Sequence, residues 1–391
     1  MRIAVLTEVA EREQRVALIP DALGKLIASG FEIDVEAGAG LRAGFTDDHF
    51  AAAGARVVSR SDVIGEGGVV LQVRVSGTHG VDDGVRQQLG PDHILVGLVD
   101  PLWMSQNVRS LADTGASVLS LELVPRITRA QSMDVLSSMA TVSGYESVLL
   151  AGTSSPQMFP MLMTAAGTVP PTRVLVLGAG VAGLQAIATA KRLGAVVEAY
   201  DVRPAAAEQI GSVGGKAIQL DFDIGDSEDD GGYATAQTED QNVKQQRLLT
   251  PFVAESDVII TTAAIPGAPS PELITTTMVE SMQPGSVIVD LAAERGGNCA
   301  LTRADEVVDH HGVAIHGPTD LPSRSQRTAS RMLANNIVSL LTYLTGASGE
   351  SSNDDPASIV IDPADEIAGP MLVAAGGKIV HEGVLDKLKA S

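Results

Sequence analysis

The feature that most constrains this chain is the run Arg173-Val174-Leu175-Val176-Leu177-Gly178-Ala179-Gly180-Val181-Ala182-Gly183. The apolar stretch Val174 to Leu177 suits a strand covered on both faces. Gly178, Gly180 and Gly183 then fall at the G-x-G-x-x-G spacing. The first such glycine permits a tight turn, the second lets backbone approach a pyrophosphate, and the third lets a helix pack close to the strand. Alone the pattern is weak, because an α/β turn with no ligand can carry the same glycines. Its context narrows it. A helical period follows at Leu184, Ile187, Ala188, Lys191 and Leu193 and stops at Gly194. A second strand, Val196-Val197-Glu198-Ala199-Tyr200, then ends in Asp201. An acid at that distance is placed to bind the hydroxyls of an adenosine ribose. As an anion Asp201 repels a 2′-phosphate and favours NAD(H), while Arg203 close by leaves pairing with such a phosphate open.

At 391 residues the chain has length for about two domains. The rhythm of the remainder predicts an α/β fold: two Rossmann-like parallel-sheet domains linked by helices, the second binding the dinucleotide. In the first, strands are expected at 2–7, 31–36, 55–58, 69–73, 93–98 and 117–121, with helices at 21–29 and 47–53, the latter capped by Thr46. In the second, strands are expected near 174–177, 196–200, 217–220, 257–262, 286–291 and 313–316, six in all. A helix at 137–151 leads from one domain to the other, and an amphipathic helix at 325–344 leads back. The domain boundaries read as 1–136 with 322–391 for the first domain and 137–321 for the second. Residues 221–240 hold eight acids and Gly231-Gly232-Tyr233-Ala234, which reads either as a mobile functional loop or as a tolerated surface insertion. Residues 346–358 read as a linker, and the strand-like runs at 359–361 and 378–380 have no assigned role.

Several function classes fall away. A net charge of −21 disfavours nucleic acid as a partner. The single cysteine, Cys299, excludes an internal disulfide and a cysteine metal cluster, and no metal-ligand spacing stands out. No apolar run reaches 18 residues, so a cytoplasmic chain is expected, held at any membrane by other subunits. A dehydrogenase acting on a small acid needs a base and a cationic clamp. None of the seven histidines stands at a strand end in such a constellation. Hydride transfer between two nicotinamides needs neither, only two rings held in contact. The polar segment Arg126-Ile127-Thr128-Arg129-Ala130-Gln131-Ser132-Met133-Asp134 has donors and acceptors suited to a carboxamide, although a solvated loop would have the same composition.

This segment, extended to Ser137-Ser138, resembles the nicotinamide-side loop of the NAD(H)-binding component (domain I) of proton-translocating nicotinamide nucleotide transhydrogenase. Residues 161–171, the fingerprint with 184–195, the tetrad 231–234, Ile265-Pro266-Gly267 and residues 290–299 are similar to later segments of the same family. The resemblance implies that Arg126, Gln131, Asp134 and Ser137 hold the nicotinamide end, with Ile127, Thr128, Arg129, Ser132 and Met133 among the contacts. It sets Gln131 facing the partner's NADP(H). It further implies Val181, Ala182 and Gly183 at the pyrophosphate and Asp201, Val202 and Arg203 at the ribose. Gly232 and Tyr233 would close over the nucleotide, with Gln245 and Ala264 as further contacts. Arg126, Gln131, Asp134 and Tyr233 are the residues it ties to catalysis. Its partners are a second copy in a homodimer, an NADP(H)-binding domain of a beta subunit, and membrane-embedded subunits that translocate protons.

The rival is alanine dehydrogenase, which shares the fold. Arg15 is retained from its pattern, but the strand at 70–74 has no lysine and the strand at 94–100 ends without a histidine. Glu294 stands where a carboxylate base would fall. A non-catalytic NAD-binding module is the third reading.

Overall fold

The computed structural model describes residues 1–75, 84–220, 238–346 and 358–390. The chain divides into two compact units, Met1–Met139 with Ser323–Ser391, and Ala140–Pro322. In the first, β1 (Arg2–Val5) lies inside the sheet, flanked on one side by β2 (Glu32–Glu36) and β3 (Arg56–Val58). On its other side run β4 (Gly68–Arg74), β5 (His93–Leu98) and β6 (Ser117–Ser120). All six are parallel, as their βαβ spacing predicts. Ala4, Val70, Leu95 and Val118 from four of these strands meet in one core. Helix α1 (Pro20–Ala28) opens with proline at its first position, where no N–H is needed, and buries Leu23 and Leu26. Helix α2 (Asp47–Ala52) is held by a capping box between Thr46 and His49. Helix α3 (Ser105–Ala112) buries Val108 and Leu111.

Helix α4 (Val135–Ser154) carries the chain onward. In the second unit β7 (Leu162–Thr164) and β8 (Gly167–Val169) form a separate antiparallel hairpin. The main sheet follows: β9 (Arg173–Leu177), α5 (Val181–Arg192), β10 (Val196–Tyr200), α6 (Ala206–Ser212) and β11 (Lys216–Ala217). Then come α7 (Glu239–Ala254), β12 (Val258–Thr261), α8 (Thr276–Glu280), β13 (Val287–Asp290), β14 (Val307–His310) and β15 (Val313–His316). The order is β11-β10-β9-β12-β13-β15-β14. Its first six strands are parallel, in the 3-2-1-4-5-6 order of a dinucleotide-binding sheet. Val174 and Val176 enter the core on one face, Leu175 and Leu177 the core on the other. Burial on both faces is why the strand reads as a continuous apolar run.

Three expectations need correction. Among the described residues the main sheet has seven strands, not six, because β14 pairs antiparallel with β15. Its alternately exposed residues form an edge with no continuous apolar run to mark it. Strand β11 spans two residues and ends before the predicted 217–220 stretch does. Residues 221–237 of the acidic insert lie outside the described residues, but its last two acids belong to α7, capped by Thr238 and Gln241.

The returning chain forms α9 (Leu321–Arg324) and α10 (Gln326–Gly346). After α11 (Ala368–Met371), β16 (Leu372–Ala375) pairs antiparallel with β6, and β17 (Lys378–Ile379) pairs with β16. The tail therefore extends the first sheet, and α12 (Glu382–Ala390) ends it. The run 359–361 forms no strand.

Candidate functional site

The fingerprint turn joins β9 to α5. Gly178 has φ +97, and a Cβ there would lie 2.5 Å from Thr262 Oγ1. A Cβ on Gly183 would lie 1.9 Å from the Gly178 carbonyl oxygen. These two glycines are demanded by the turn itself. Gly180 differs: a Cβ there would meet nothing within 4 Å. The space beside it is open, as a ligand approaching the backbone requires. The first N–H groups of α5 have no partner within the helix, and the positive end of its dipole adds to their pull on an anion. Gly144 of α4 supports the turn from behind, since a Cβ there would lie 2.1 Å from the Ala182 carbonyl oxygen. Val181 is exposed and Ala182 half-buried at the start of the helix.

Asp201 follows β10 and faces this turn. Its carboxylate accepts from the Ala179 N–H at 2.7 Å. It also accepts from the Arg203 backbone N–H at 2.9 Å, Nε at 2.9 Å and Nη2 at 3.0 Å. The Arg203 guanidinium is thus folded back on Asp201, with Val202 half-buried between them. Tyr200 is buried just before, and burial, with the Asp201 charge adding to it, pushes its hydroxyl up to about 12, against a lowering contribution from Gln245. Gln245 is buried in α7.

Ala264 is exposed just beyond β12. Its neighbour Ala263 is gripped by Asn298, which accepts from the Ala263 N–H at 3.0 Å and donates to its carbonyl at 2.8 Å. Asn298 is set in turn by Asp290, a fully buried carboxylate that accepts from the N–H groups of Ala292, Asn298 and Cys299 and the hydroxyls of Thr261 and Thr302. Cys299 is buried, and burial pushes its thiol up to about 11, so it packs as an inert side chain. Thr262 was not anticipated. Its hydroxyl donates to the Gly178 carbonyl at 3.1 Å, and the only sequence signal is a polar residue ending a strand beside the fingerprint.

The other predicted residues lie in the first unit. Residues Thr128–Met133 form a 3-10 helix with Ala130 and Met133 buried, and Arg126, Thr128, Gln131 and Ser132 exposed. Ile127 is half-buried. The Ser132 carbonyl is held by Asn336 of α10 at 2.8 Å. Asp134 precedes α4 and accepts from the Ser137 backbone N–H at 2.9 Å and its hydroxyl at 2.6 Å. Asp134 and Ser137 therefore start the helix, as an N-cap pair does. Arg129 pairs with Glu366 of the tail and lies 5.9 Å from the Tyr343 ring centre. Gly232 and Tyr233 fall outside the described residues.

A second polar group lies at the carboxyl ends of β1 and β4. Arg15 donates from Nε and Nη2 to Glu13 at 2.7 and 2.6 Å, both side chains being buried. Glu13 also accepts from Ser323 at 2.6 Å and lies 3.3 Å from Arg74. Burial alone would push the Glu13 carboxyl up, but the Arg15 charge and these hydrogen bonds outweigh it and pull it down to about 2. Glu8 is pushed the other way, to about 8, by burial and by the Glu13 charge. At the end of β5, Asp100 takes φ +52 and its N–H donates to half-buried Glu122 at 2.9 Å.

Comparison with known proteins places this geometry. Residues 4–143 match the family model "Alanine dehydrogenase/PNT, N-terminal domain", and residues 147–382 match "Alanine dehydrogenase/PNT, C-terminal domain". An NAD(P) transhydrogenase alpha-subunit polypeptide of Rhodospirillum rubrum is 43% identical over 385 residues, covering 97% of this chain and 98% of that protein. A crystal structure of transhydrogenase from Sinorhizobium meliloti superposes with a TM-score of 0.82 at 37% identity, covering 98% of this chain and 99% of that one. The alanine dehydrogenase of Halomonas elongata is 29% identical over 355 residues, covering 88% of this chain and 87% of that protein. From these matches, the chain belongs to the alanine dehydrogenase/PNT family and, within it, to the NAD(P) transhydrogenase alpha subunits, components of an oxidoreductase.

Proposed function

We propose that this chain is the NAD(H)-binding component of a proton-translocating transhydrogenase. The observation that favours this over an amino-acid dehydrogenase is the buried Arg15–Glu13 pair at 2.6 Å. The arginine that would clamp a substrate carboxylate is already neutralised by one. At the end of β5, where a histidine base would be needed, the chain places Asp100. In this reading the unit 137–321 holds the adenosine and pyrophosphate, through the open side of Gly180, the N–H groups of Val181 to Gly183, and Asp201 with Val202 and Arg203. Gln245 and Ala264 border the same nucleotide. Arg126, Gln131, Asp134 and Ser137 orient the nicotinamide, flanked by Ile127 to Arg129, Ser132 and Met133, with Gly232 and Tyr233 closing over it. NAD(H) supplies the hydride that passes to or from NADP(H) on a partner domain. No acid or base on this chain is required, so its contribution is alignment and exclusion of water.

Two chains form the homodimer, and other subunits supply the NADP(H) site, the proton path and the attachment to the cytoplasmic face of the membrane. Among the described residues no helix is long and apolar enough to cross a membrane. The test is to mix the chain with a transhydrogenase NADP(H)-binding domain and follow reduction of an NAD analogue by NADPH. Rapid transfer is expected, and oxidation of alanine without any partner would overturn the reading. Gln131 is exposed in its 3-10 turn, so Gln131→Asn should leave folding and NADH binding near normal and slow the transfer. Loss of NADH binding in that variant would contradict the role given to it.

A further inference from the structure

The far edge of the second sheet carries a cluster that the dinucleotide site does not use. Glu280 ends α8, and His310 and His311 sit where β14 turns into β15. Their ligand atoms lie within 4.8 Å of one another, and no other group of three such side chains occurs among the described residues. His310 Nε2 is 3.2 Å from Glu280 Oε1. The two imidazoles are stacked, with centres 4.6 Å apart and planes 22° from parallel.

Stacking of adjacent residues needs explanation, because successive side chains on a strand point to opposite faces. His311 escapes the alternation through its left-handed backbone, φ +55, followed by Gly312 at φ +79. Two positive φ values in a two-residue turn are the I′ pattern, where asparagine before glycine fits best. A histidine there accepts some strain, and its ring is brought over that of His310. Because β14 runs antiparallel, the cluster lies at the amino ends of the parallel strands. The fingerprint turn leaves β9, an interior strand, at its carboxyl end, so it lies at the opposite end of the parallel strands from the cluster.

We propose that Glu280, His310 and His311 form a binding site for a zinc-class divalent transition-metal ion. Two imidazoles and one carboxylate are a donor set for zinc and leave a position open for water or an outside ligand. All-oxygen ions such as magnesium and calcium are not matched by it. Tetrahedral ligation at about 2.0–2.1 Å sets donors roughly 3.3 Å apart, so the exposed His311 and Glu280 need only rotate inward. The bound ion would tie α8 to the edge hairpin, and by linkage it would stabilise the folded chain.

Zinc chloride is titrated into the full, untagged chain by calorimetry, and cobalt(II) absorption reports the ligand field. One ion per chain is expected, with a rise in the unfolding temperature. His311→Asn suits the left-handed turn while removing a ligand, and Glu280→Gln keeps the side-chain shape. Each should weaken zinc binding by about tenfold or more without lowering the metal-free unfolding temperature. Binding unchanged in both variants, or no binding by the wild-type chain, would overturn the site. A loss confined to one variant would overturn the three-ligand assignment.

Discussion

Asp201 already satisfies four N–H groups, one from Ala179 and three from Arg203. To receive ribose hydroxyls it must share or release some of them, and Arg203 is the flexible partner. Asp201→Ala should therefore weaken NADH binding by about 1–2 kcal/mol, roughly 5- to 30-fold, in a fluorescence titration. It also frees Arg203, so the preference for NADH over NADPH should narrow. Unchanged affinity would place the ribose elsewhere. Glu8 and Glu13 pose a different problem, since two buried carboxylates compete for Arg15 and only Glu13 holds it. The Glu8 proton is bound more tightly in the folded chain than at its ordinary 4.5, so its contribution to stability is complete below that value and is lost as pH rises through about 8. Glu13 runs oppositely: its contribution is present above 4.5 and is lost as pH falls through about 2. Glu8→Gln should flatten the fall in stability between about pH 4.5 and pH 8 in urea unfolding. An unchanged slope would mean that another group sets it. Asp201 is legible in the sequence because it ends a strand at a fixed distance from three glycines. Glu8 is not, because local sequence does not encode the burial that shifts it.

At the scale of elements, the β9–turn–α5 unit separates glycines that build the turn from the one that faces open space. Gly183→Ala drives a methyl into the Gly178 carbonyl and should destabilise the second unit by several kcal/mol, about 3 or more. Gly180 has φ −72, which any residue adopts, and open space around its Cβ direction. Gly180→Ala should unfold within about 1 kcal/mol of the parent and still lose NADH affinity, because the methyl stands where the pyrophosphate must approach. Equal loss of stability in both variants would refute that division. The parallel strands were legible because burial on both faces leaves continuous runs such as Val174 to Leu177. The missed elements share the opposite character. Strand β14 alternates exposed and half-buried residues, and β8 is exposed throughout. Strand β16 is buried, but Leu372-Val373-Ala374-Ala375 is short and alanine-rich, and only pairing with β6 from far along the chain makes it a strand. The polar loop from Arg126 to Asp134 was legible as unusual, yet its anchoring by Asn336, Tyr343 and Glu366 was not, because those partners lie some 200 residues away in sequence.

At the scale of the whole molecule, the proposed homodimer must be reconciled with a charge of −21 per chain. Two such chains repel, so a stable homodimer needs an apolar contact large enough to outweigh that repulsion. The hairpin of β7 and β8 offers one. Met163 is 77% exposed, Val169 on the second strand is exposed as well, and so is Met161, just before the first. Exposure of long apolar side chains on a short hairpin is costly in water unless another surface covers it. The dimer reading therefore makes two linked predictions. In sedimentation velocity at micromolar concentration the chain should run at twice its monomer mass, and the association should tighten as salt rises from about 0.05 to 0.5 M and screens the like charges. Replacing Met161 and Met163 together by aspartate should produce monomers, while NADH binding persists, since neither residue belongs to the fingerprint turn. A wild-type monomer would remove the homodimer from the proposed function. A variant that stays dimeric would move the interface away from the hairpin, and a dimer that weakens with salt would mean that ion pairs, not apolar burial, hold the two chains together.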